Sequence, residues 1–292
     1  MELTTLGAVQ NWLFPAGQSV NTDDQLLTRL IAQCSAAARN YMQRPLLTRQ
    51  NYTELRSGVG NQVMMLRNWP VVKVNSLVIN NTTIPAAPAM QAGTPGSTYS
   101  PSAQQSGWTL QTWDGTSAGL PQNLTVAGYC FQRGQNNVQI NYDAGYCVTA
   151  QTLAVPAISP YAKTVTPLFG SWSQDDGVIY AASGSALTAI TSGAPAVGQY
   201  LVTPDYNNGS GTAQYVFKAG DANANLQLSY SYIPADVEQA VIELVGERYS
   251  YKQRIGQRSM SVGGQTTASY NLDAFPMWIQ NMLDQYKKWL PF

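Results

Sequence analysis

Apolar residues in this chain recur at helical spacing near both ends and alternate at strand spacing through most of the middle. That order restricts the fold more than any single motif does. The sharpest helical stretch is Ile233–Gly264, IPADVEQAVIELVGERYSYKQRIGQRSMSVGG. Pro234 suits a first helical turn, where its missing N–H has no intrahelical partner. Asp236 and Glu238 follow, where the helix dipole favours negative charge. Val237, Ala240, Val241, Leu244 and Val245 then form one apolar stripe.

Three more stretches share this period. In TDDQLLTRLIAQCSAAARNYMQR, Thr22 is the expected N-cap, Asp23 and Asp24 lie in the first turn, and Pro45 stops the helix. Its expected stripe is Leu26, Leu27, Leu30, Ile31, Cys34, Ala37, Ala38 and Tyr41. Residues 3–13 predict a short helix with Leu6, Val9, Trp12 and Leu13 on one side. Pro276 opens a last helix to the C-terminus, striped by Ile279, Met282, Leu283, Tyr286, Trp289 and Leu290. Phe275 is placed to staple its start, and Lys287 and Lys288 its last turn.

From Leu46 the period is two. LLTRQNYTELRSG, QVMMLRN and VVKVNSLVIN predict strands, with Asn80-Asn81 as a turn. Residues 85–106 are rich in Pro, Ala, Gly and Ser, lack charge, and predict a long exposed loop. GWTLQTWDG, NLTVAGYCF and NVQINYDAGY follow as strands. Residues 147–232 open with Pro and Ala and continue at hairpin spacing. VQINYDAGY (138–146) and LQLSYSYIP (226–234) are similar strand endings, and either could lead into the helix at Pro234. The expected fold is therefore α+β. Four helices from both chain ends form one core, and a large β-rich, sandwich- or barrel-like region is inserted. The expected domains are 1–84 with 233–292 (helices and a small β element), 85–146 (strands and the long loop) and 147–232 (the inserted β domain).

Composition narrows the chemistry. Only 11% of residues are charged, and sixteen bases balance sixteen acids. A polar but uncharged surface suits a chain that spends its life against other protein, and the lack of a basic excess argues against wrapping nucleic acid. There is no histidine, so histidine-based catalysis and histidine-bearing zinc sites are excluded. Cys34, Cys130 and Cys147 lack CxxC spacing. Cys34 reads as a core residue, Cys130 and Cys147 could meet across strands, and a reducing compartment is expected. The first residues lack a basic n-region, so no signal peptide is expected, and no apolar run is long enough to span a membrane.

No catalytic, cofactor or metal constellation emerges, and no enzyme is expected. Asp175 and Asp176, in SWSQDDG beside Trp172, resemble a sugar- or calcium-binding loop, though adjacent aspartates in such a loop more often make a solvated turn. Seventeen tyrosines and seven tryptophans could build a sugar platform, or fill cores and interfaces. Arg248, Lys252, Arg254 and Arg258 follow one another without an intervening acid, and the tail Arg254–Tyr270 is polar and Gly-rich. Those cations could meet phosphate or the acids of another subunit, or cap a solvated helix end.

These pieces together resemble the head–tail connector (adaptor, or head-completion) proteins of tailed bacteriophages. The matching segments are TTLGAVQNWL, TDDQLLTRLIAQCSAAARNYMQRPL, WPVVKVNSLVIN, NYDAGY and the stretch from Ile233 to Gly264. Tyr142, Gly145 and Tyr146 match the family's strand ending, and Pro234, Asp236 and Ala240 its helix start, with some 87 residues between them. The resemblance implies a ring, usually of twelve subunits, under the portal protein at the neck of the virion. DNA would pass through its lumen without sequence-specific binding, and tail, stopper or nozzle proteins would attach below. No membrane or cofactor is involved, and assembly would occur in the bacterial host cytoplasm. It implies that the tail and last helix dock on the portal or a neighbouring subunit, which makes Arg248, Lys252, Arg254, Arg258, Met260, Tyr270, Trp278, Trp289 and Phe292 the contact candidates. Compact family members lack the enlarged β portion, whose expected role is an outward surface for tail proteins, neighbouring adaptors or fibres. A β-rich module that recognises a host glycan or receptor is the alternative reading, and a hydrolase using Asp175 or Asp176 a third.

Overall fold

The computed structural model describes residues 2–14, 23–87, 106–111, 123–205, 209–252, 259–262, 266–269 and 275–288. Along the chain run helices α1 (Leu6–Leu13) and α2 (Asp24–Met42), then strands β1 (Gln50–Gly58), β2 (Val63–Met65), β3 (Val71–Ile79), β4 (Thr82–Ile84), β5 (Gly107–Gln111), β6 (Asn123–Ala127) and β7 (Gly134–Ala144). Next come β8 (Cys147–Ala154), β9 (Ala162–Val165), β10 (Gly170–Tyr180), β11 (Thr188–Ile190), β12 (Gln199–Pro204), β13 (Ala213–Val216) and β14 (Asn225–Pro234). Helix α3 (Ala235–Tyr251), the short strands β15 (Ser259–Val262) and β16 (Thr266–Ser269), and helix α4 (Met277–Asp284) complete it. The class is α+β, with antiparallel pairing dominant. By contacts the chain forms two compact units, Met1–Thr48 with Cys147–Lys287 and Arg49–Tyr146 with Lys288–Phe292.

In the first unit, α3 lies against α1, α2 and α4. The expected stripe of α3 is buried in full, and Ile242 and Gly246 are buried as well, so more than one face is covered. A methyl group at Gly246 would sit against Leu13 of α1. Pro234 is not in the first turn: it ends β14 and stands at the N-cap position, because strand and helix join without a loop. Thr22 lies outside the described residues, and Asp23 is the residue that precedes α2. On α2 the buried positions are Leu27, Ile31, Cys34, Ser35, Ala38 and Met42, while Ala37 is exposed and Leu26, Leu30 and Tyr41 are half-buried. The buried stripe is narrower than expected and reaches a polar residue, because the Ser35 hydroxyl accepts a bond from the Leu3 amide at 3.0 Å. Gln43 adopts a left-handed conformation (φ 56°) that ends α2 before Pro45. Helix α1 begins only at Leu6, capped by Thr5, and Trp12 is 54% exposed rather than part of the stripe.

Strands β8 to β14 of this unit form two sheets, β10-β14-β8 and β11-β12-β13-β9, over one core that includes Trp172, Val178, Tyr200, Tyr215, Leu226, Leu228 and Tyr230. The stretch from Cys147 to Ala154, in the part of 147–232 that opens with Pro and Ala, is strand β8 paired with β14. SWSQDDG is no loop: it lies inside β10, paired with β14, and two register shifts there accommodate the irregular sequence.

In the second unit the sheets are β1-β7-β3-β4 and β2-β6-β5, again over one core, with Leu77, Leu124, Phe131, Val138, Ile140 and Tyr142 buried. Asn80 and Asn81 form the expected turn between β3 and β4, both at positive φ (49° and 62°), a two-residue hairpin in which Asn is tolerated. Most of the expected loop 85–106 lies outside the described residues. The two similar strand endings are β7 and β14, and each is the inner strand of its sheet, flanked by β1 and β3 and by β10 and β8 respectively.

Candidate docking region

The C-terminal end of α3 is held to the start of α2. Asp23 accepts hydrogen bonds from the Tyr249 hydroxyl (2.6 Å) and the Lys252 ammonium (2.7 Å), and that ammonium lies over the Tyr249 ring at 4.6 Å. The bond to Lys252 lowers the Asp23 carboxyl pKa, and the same bond raises that of Lys252. Lys252 is thus a structural cation here. Arg248, one turn earlier, is exposed in the last turn of α3.

Helix α4 is pinned by a second polar set. The Tyr41 hydroxyl of α2 donates to Asp284 (2.5 Å), the Tyr41 ring stacks on Phe275 at 5.0 Å, and Lys287 lies over that ring at 4.6 Å. Asp236 in the first turn of α3 accepts from Gln285 and Tyr286. Ile279 and Leu283 are buried, while Met277 and Trp278 are exposed, Trp278 by 43%. Helix α4 ends at Asp284, shorter than the expected run to the C-terminus. Lys287 therefore follows the helix instead of lying in its last turn, and serves Tyr41.

Within the polar tail, β15 and β16 pair antiparallel with each other alone among the described residues, Met260 opposite Ala268. The side-chain setting of Met260, and Arg254, Arg258, Tyr270, Trp289 and Phe292 altogether, lie outside the described residues. The structure therefore brings together Arg248 and Lys252, and sets Trp278 on a separate helix start. The sequence reading missed Asp23, Tyr41 and Asp236 as tethers. Their signal was present, since each is a polar residue near a helix end, but their partners are up to 243 residues away.

Asp175 and Asp176 are consumed by the fold. Asp175 accepts from Tyr200 (2.6 Å) and Tyr215 (3.1 Å), and Asp176 from Ser231 (2.6 Å). Trp172 is buried and donates to the Tyr215 hydroxyl at 3.2 Å, so these aromatics fill a core and present no face to a sugar. The three cysteines are free thiols, and burial pushes Cys34 up to about 11. No group of three or more metal-ligating side chains occurs among the described residues. Among those residues too, no helix is long and apolar enough to cross a membrane.

A cleft of about 570 Å³ opens beside the start of α3, between the N-terminal segment before α1 and β10. Leu3, Leu6, Trp172 and Ile233 wall it, and Glu2 and Glu238 supply carboxylates. Glu238 accepts from the hydroxyls of Thr4 (3.4 Å) and Ser171. Burial raises its pKa, and those hydrogen bonds pull the other way.

Residues 174–289 match the family of head completion proteins, 116 of the 292 residues. The match starts inside β10 and runs through β14, α3 and α4, so it includes much of the strand region 147–232. No curated protein matches. A chain from a solved structure titled "Neck of empty GTA particle computed with C6 symmetry" superposes with a TM-score of 0.33 at 10% identity, over 98% of this chain and 90% of that one. A score of that size does not establish a shared fold. The family match and the resemblance read from the sequence point the same way: residues 174–289 of this chain are similar to head completion proteins.

Proposed function

We propose that this protein is a structural adaptor of a tailed-phage virion, without catalytic activity. It forms a ring under the portal protein, continues the DNA channel, and offers the attachment site for tail, stopper or nozzle proteins. The observation that carries this reading is the head completion match over 174–289, which covers α3 and α4, the elements that the sequence resemblance assigns to docking. The chemistry is consistent with it. Formal charge is zero, so the chain as a whole carries no net positive charge to draw DNA. The conspicuous aspartates serve internal hydrogen bonds.

In this reading the α3 end, the β15–β16 hairpin and α4 meet the portal or a neighbouring subunit, with Arg248, Lys252, Arg254, Arg258, Met260, Tyr270, Trp278, Trp289 and Phe292 as contacts. The strands of 147–232 face outward toward tail proteins. The turn before β10 supports that role, because Leu168 is 81% and Phe169 64% exposed.

The test is the mass of the purified protein, alone and mixed with portal particles, by light scattering or native mass spectrometry. The expected result is addition to the portal in portal-matched stoichiometry. A stable monomer that ignores portals overturns the adaptor reading. For the outer strands, Leu168→Ser with Phe169→Ser is expected to leave portal addition intact and reduce tail attachment. Unchanged tail attachment overturns that assignment.

A further inference from the structure

A recess in the second unit has a lining unlike that of the Glu238 cleft. Leu55 of β1, Gln139 of β7 and Val78 of β3 stand in one cross-strand row. Val138 and Ile140, on either side of Gln139, are buried, so this row faces away from the core. At the end of the row, Asn80 and Asn81 turn β3 into β4, and Asn136 bends the start of β7 at a positive φ of 50°. Together these elements enclose about 270 Å³. Leu55 and Val78 supply an apolar wall, and the rest of the lining is side-chain amide, from Asn80, Asn81, Gln135, Asn136, Asn137 and Gln139. Among the described residues, no charged one lines it.

These amides divide into two sets. Asn137 donates to the Asn80 side-chain oxygen and to the Gln132 carbonyl, both at 2.9 Å, and accepts from the Gly58 amide at 2.9 Å. Asn80 donates in turn to the Gln132 side chain. That frame fixes one wall before any ligand arrives. The side-chain amides of Asn81, Gln135 and Gln139 have no hydrogen-bond partner among the described residues. Each sets a donor beside an acceptor.

The lining selects a ligand class. An anion calls for a cation, and a nucleobase for an aromatic or guanidinium plane to stack on, and neither is in the lining. A peptide read through its main chain needs an open strand edge, but β7 is an inner strand with β1 and β3 on its two sides. A pyranose sugar is uncharged, and its neighbouring hydroxyls both donate and accept, as a side-chain amide does. Its C–H face suits Leu55 and Val78. The volume lies just under the roughly 300 Å³ at which drug-sized pockets begin, which is room for a single sugar unit.

We infer that this recess binds an uncharged pyranose sugar, with Asn81, Gln135 and Gln139 as the amides that meet its hydroxyls. The inference does not rest on the ring reading. It sets sugar recognition on β1, β3 and β7, outside the strands of 147–232.

The experiment is saturation-transfer nuclear magnetic resonance on the full-length protein, with the methyl pyranosides of glucose, galactose, mannose and N-acetylglucosamine at high millimolar concentration. At least one is expected to receive saturation. Its affinity is then expected to fall roughly tenfold or more in a chain carrying Gln135→Ala and Gln139→Ala, since two hydrogen-bonding groups are lost. Both side chains are exposed, so the circular dichroism spectrum should not change. If the double variant misfolds, the two single variants are titrated in its place. The absence of saturation transfer to all four sugars overturns the inference. Affinity that survives the substitutions also overturns it, because the sugar then sits elsewhere. Either outcome leaves the adaptor reading standing.

Discussion

Both β regions set an acid against tyrosine hydroxyls, but they compensate its charge differently. In the second unit the buried Glu54 accepts from the Tyr142 hydroxyl, from the Arg67 amide (3.2 Å) and from the Arg56 guanidinium at 3.3 Å. Asn68 adds bonds to both Tyr142 and Glu54. In the first unit, the half-buried Asp175 accepts from Tyr200, Tyr215 and the Gly177 amide, and no cation pairs with it among the described residues. The difference follows from depth. A carboxylate deep in a core needs a countercharge, whereas one with partial access to water is satisfied by hydroxyl and amide donors. It teaches that a conspicuous acid in a chain this poor in charge can be a packing device, and that its partners decide how much stability it carries.

The comparison can be broken at several points. The largest effect is expected from Glu54→Ala, which strands Arg56 and the Arg67 amide and costs about 3–5 kcal/mol. Hydrogen exchange should show the loss in peptides of β1, β3 and β7, with β10–β14 unchanged. Asp175→Asn keeps the shape and strands no cation, so about 1.5–3 kcal/mol is expected, confined to the first unit. An Asp175→Asn loss larger than that of Glu54→Ala would reverse the argument.

Alkali sharpens the same contrast. Burial raises the pKa of Tyr200 and Tyr215 in the first unit and of Tyr142 in the second, and the bond to Asp221 pushes Tyr180 up to about 12. A phenol whose folded pKa exceeds its unfolded value of about 10 contributes stability that is complete below that value and lost as pH rises through the folded one. The first unit, with more such tyrosines, is expected to lose protection first between about pH 10 and 12, measured by phenolate absorbance alongside hydrogen exchange. Tyr200→Phe and Tyr142→Phe should each cost about 1 kcal/mol, the second leaving Glu54 still paired with Arg56. At the small end, Lys252→Ala is expected to leave the melting temperature unchanged, because its pair with Asp23 is exposed. A clear drop would mean that this tether carries part of the fold.

Much of this architecture is legible in the residues alone. The apolar spacing that predicts α1, α2, α3 and the start of α4 reports which face of a helix leaves water, a local property. Alternation likewise locates β1, β3, β7, β12, β13 and β14, and Asn80-Asn81 announces its own turn because few other residues tolerate two positive φ angles. The strand identity of SWSQDDG was not legible. Its polar residues suggest a turn, and only pairing with β14 and the donors Tyr200, Tyr215 and Ser231, which arrive from 25 to 55 residues away, make it a strand. The candidate contacts divide the same way. The run of bases from Arg248 to Arg258 is visible in sequence, but that Lys252 is tied to Asp23 is not.

Read along the chain, the residues establish the order of helical and strand-forming segments, the scarcity of charge, the absence of histidine chemistry and the resemblance to head-completion connectors. The first three follow from composition or from spacing along the chain, and the last from the resemblance of the quoted segments. Packing in three dimensions makes some acids internal acceptors and some cations tethers, and brings Glu238 into a cleft with Glu2, Trp172 and Ile233. Those assignments depend on distances between residues far apart in sequence, where burial and long-range hydrogen bonding, and not local propensity, set the outcome.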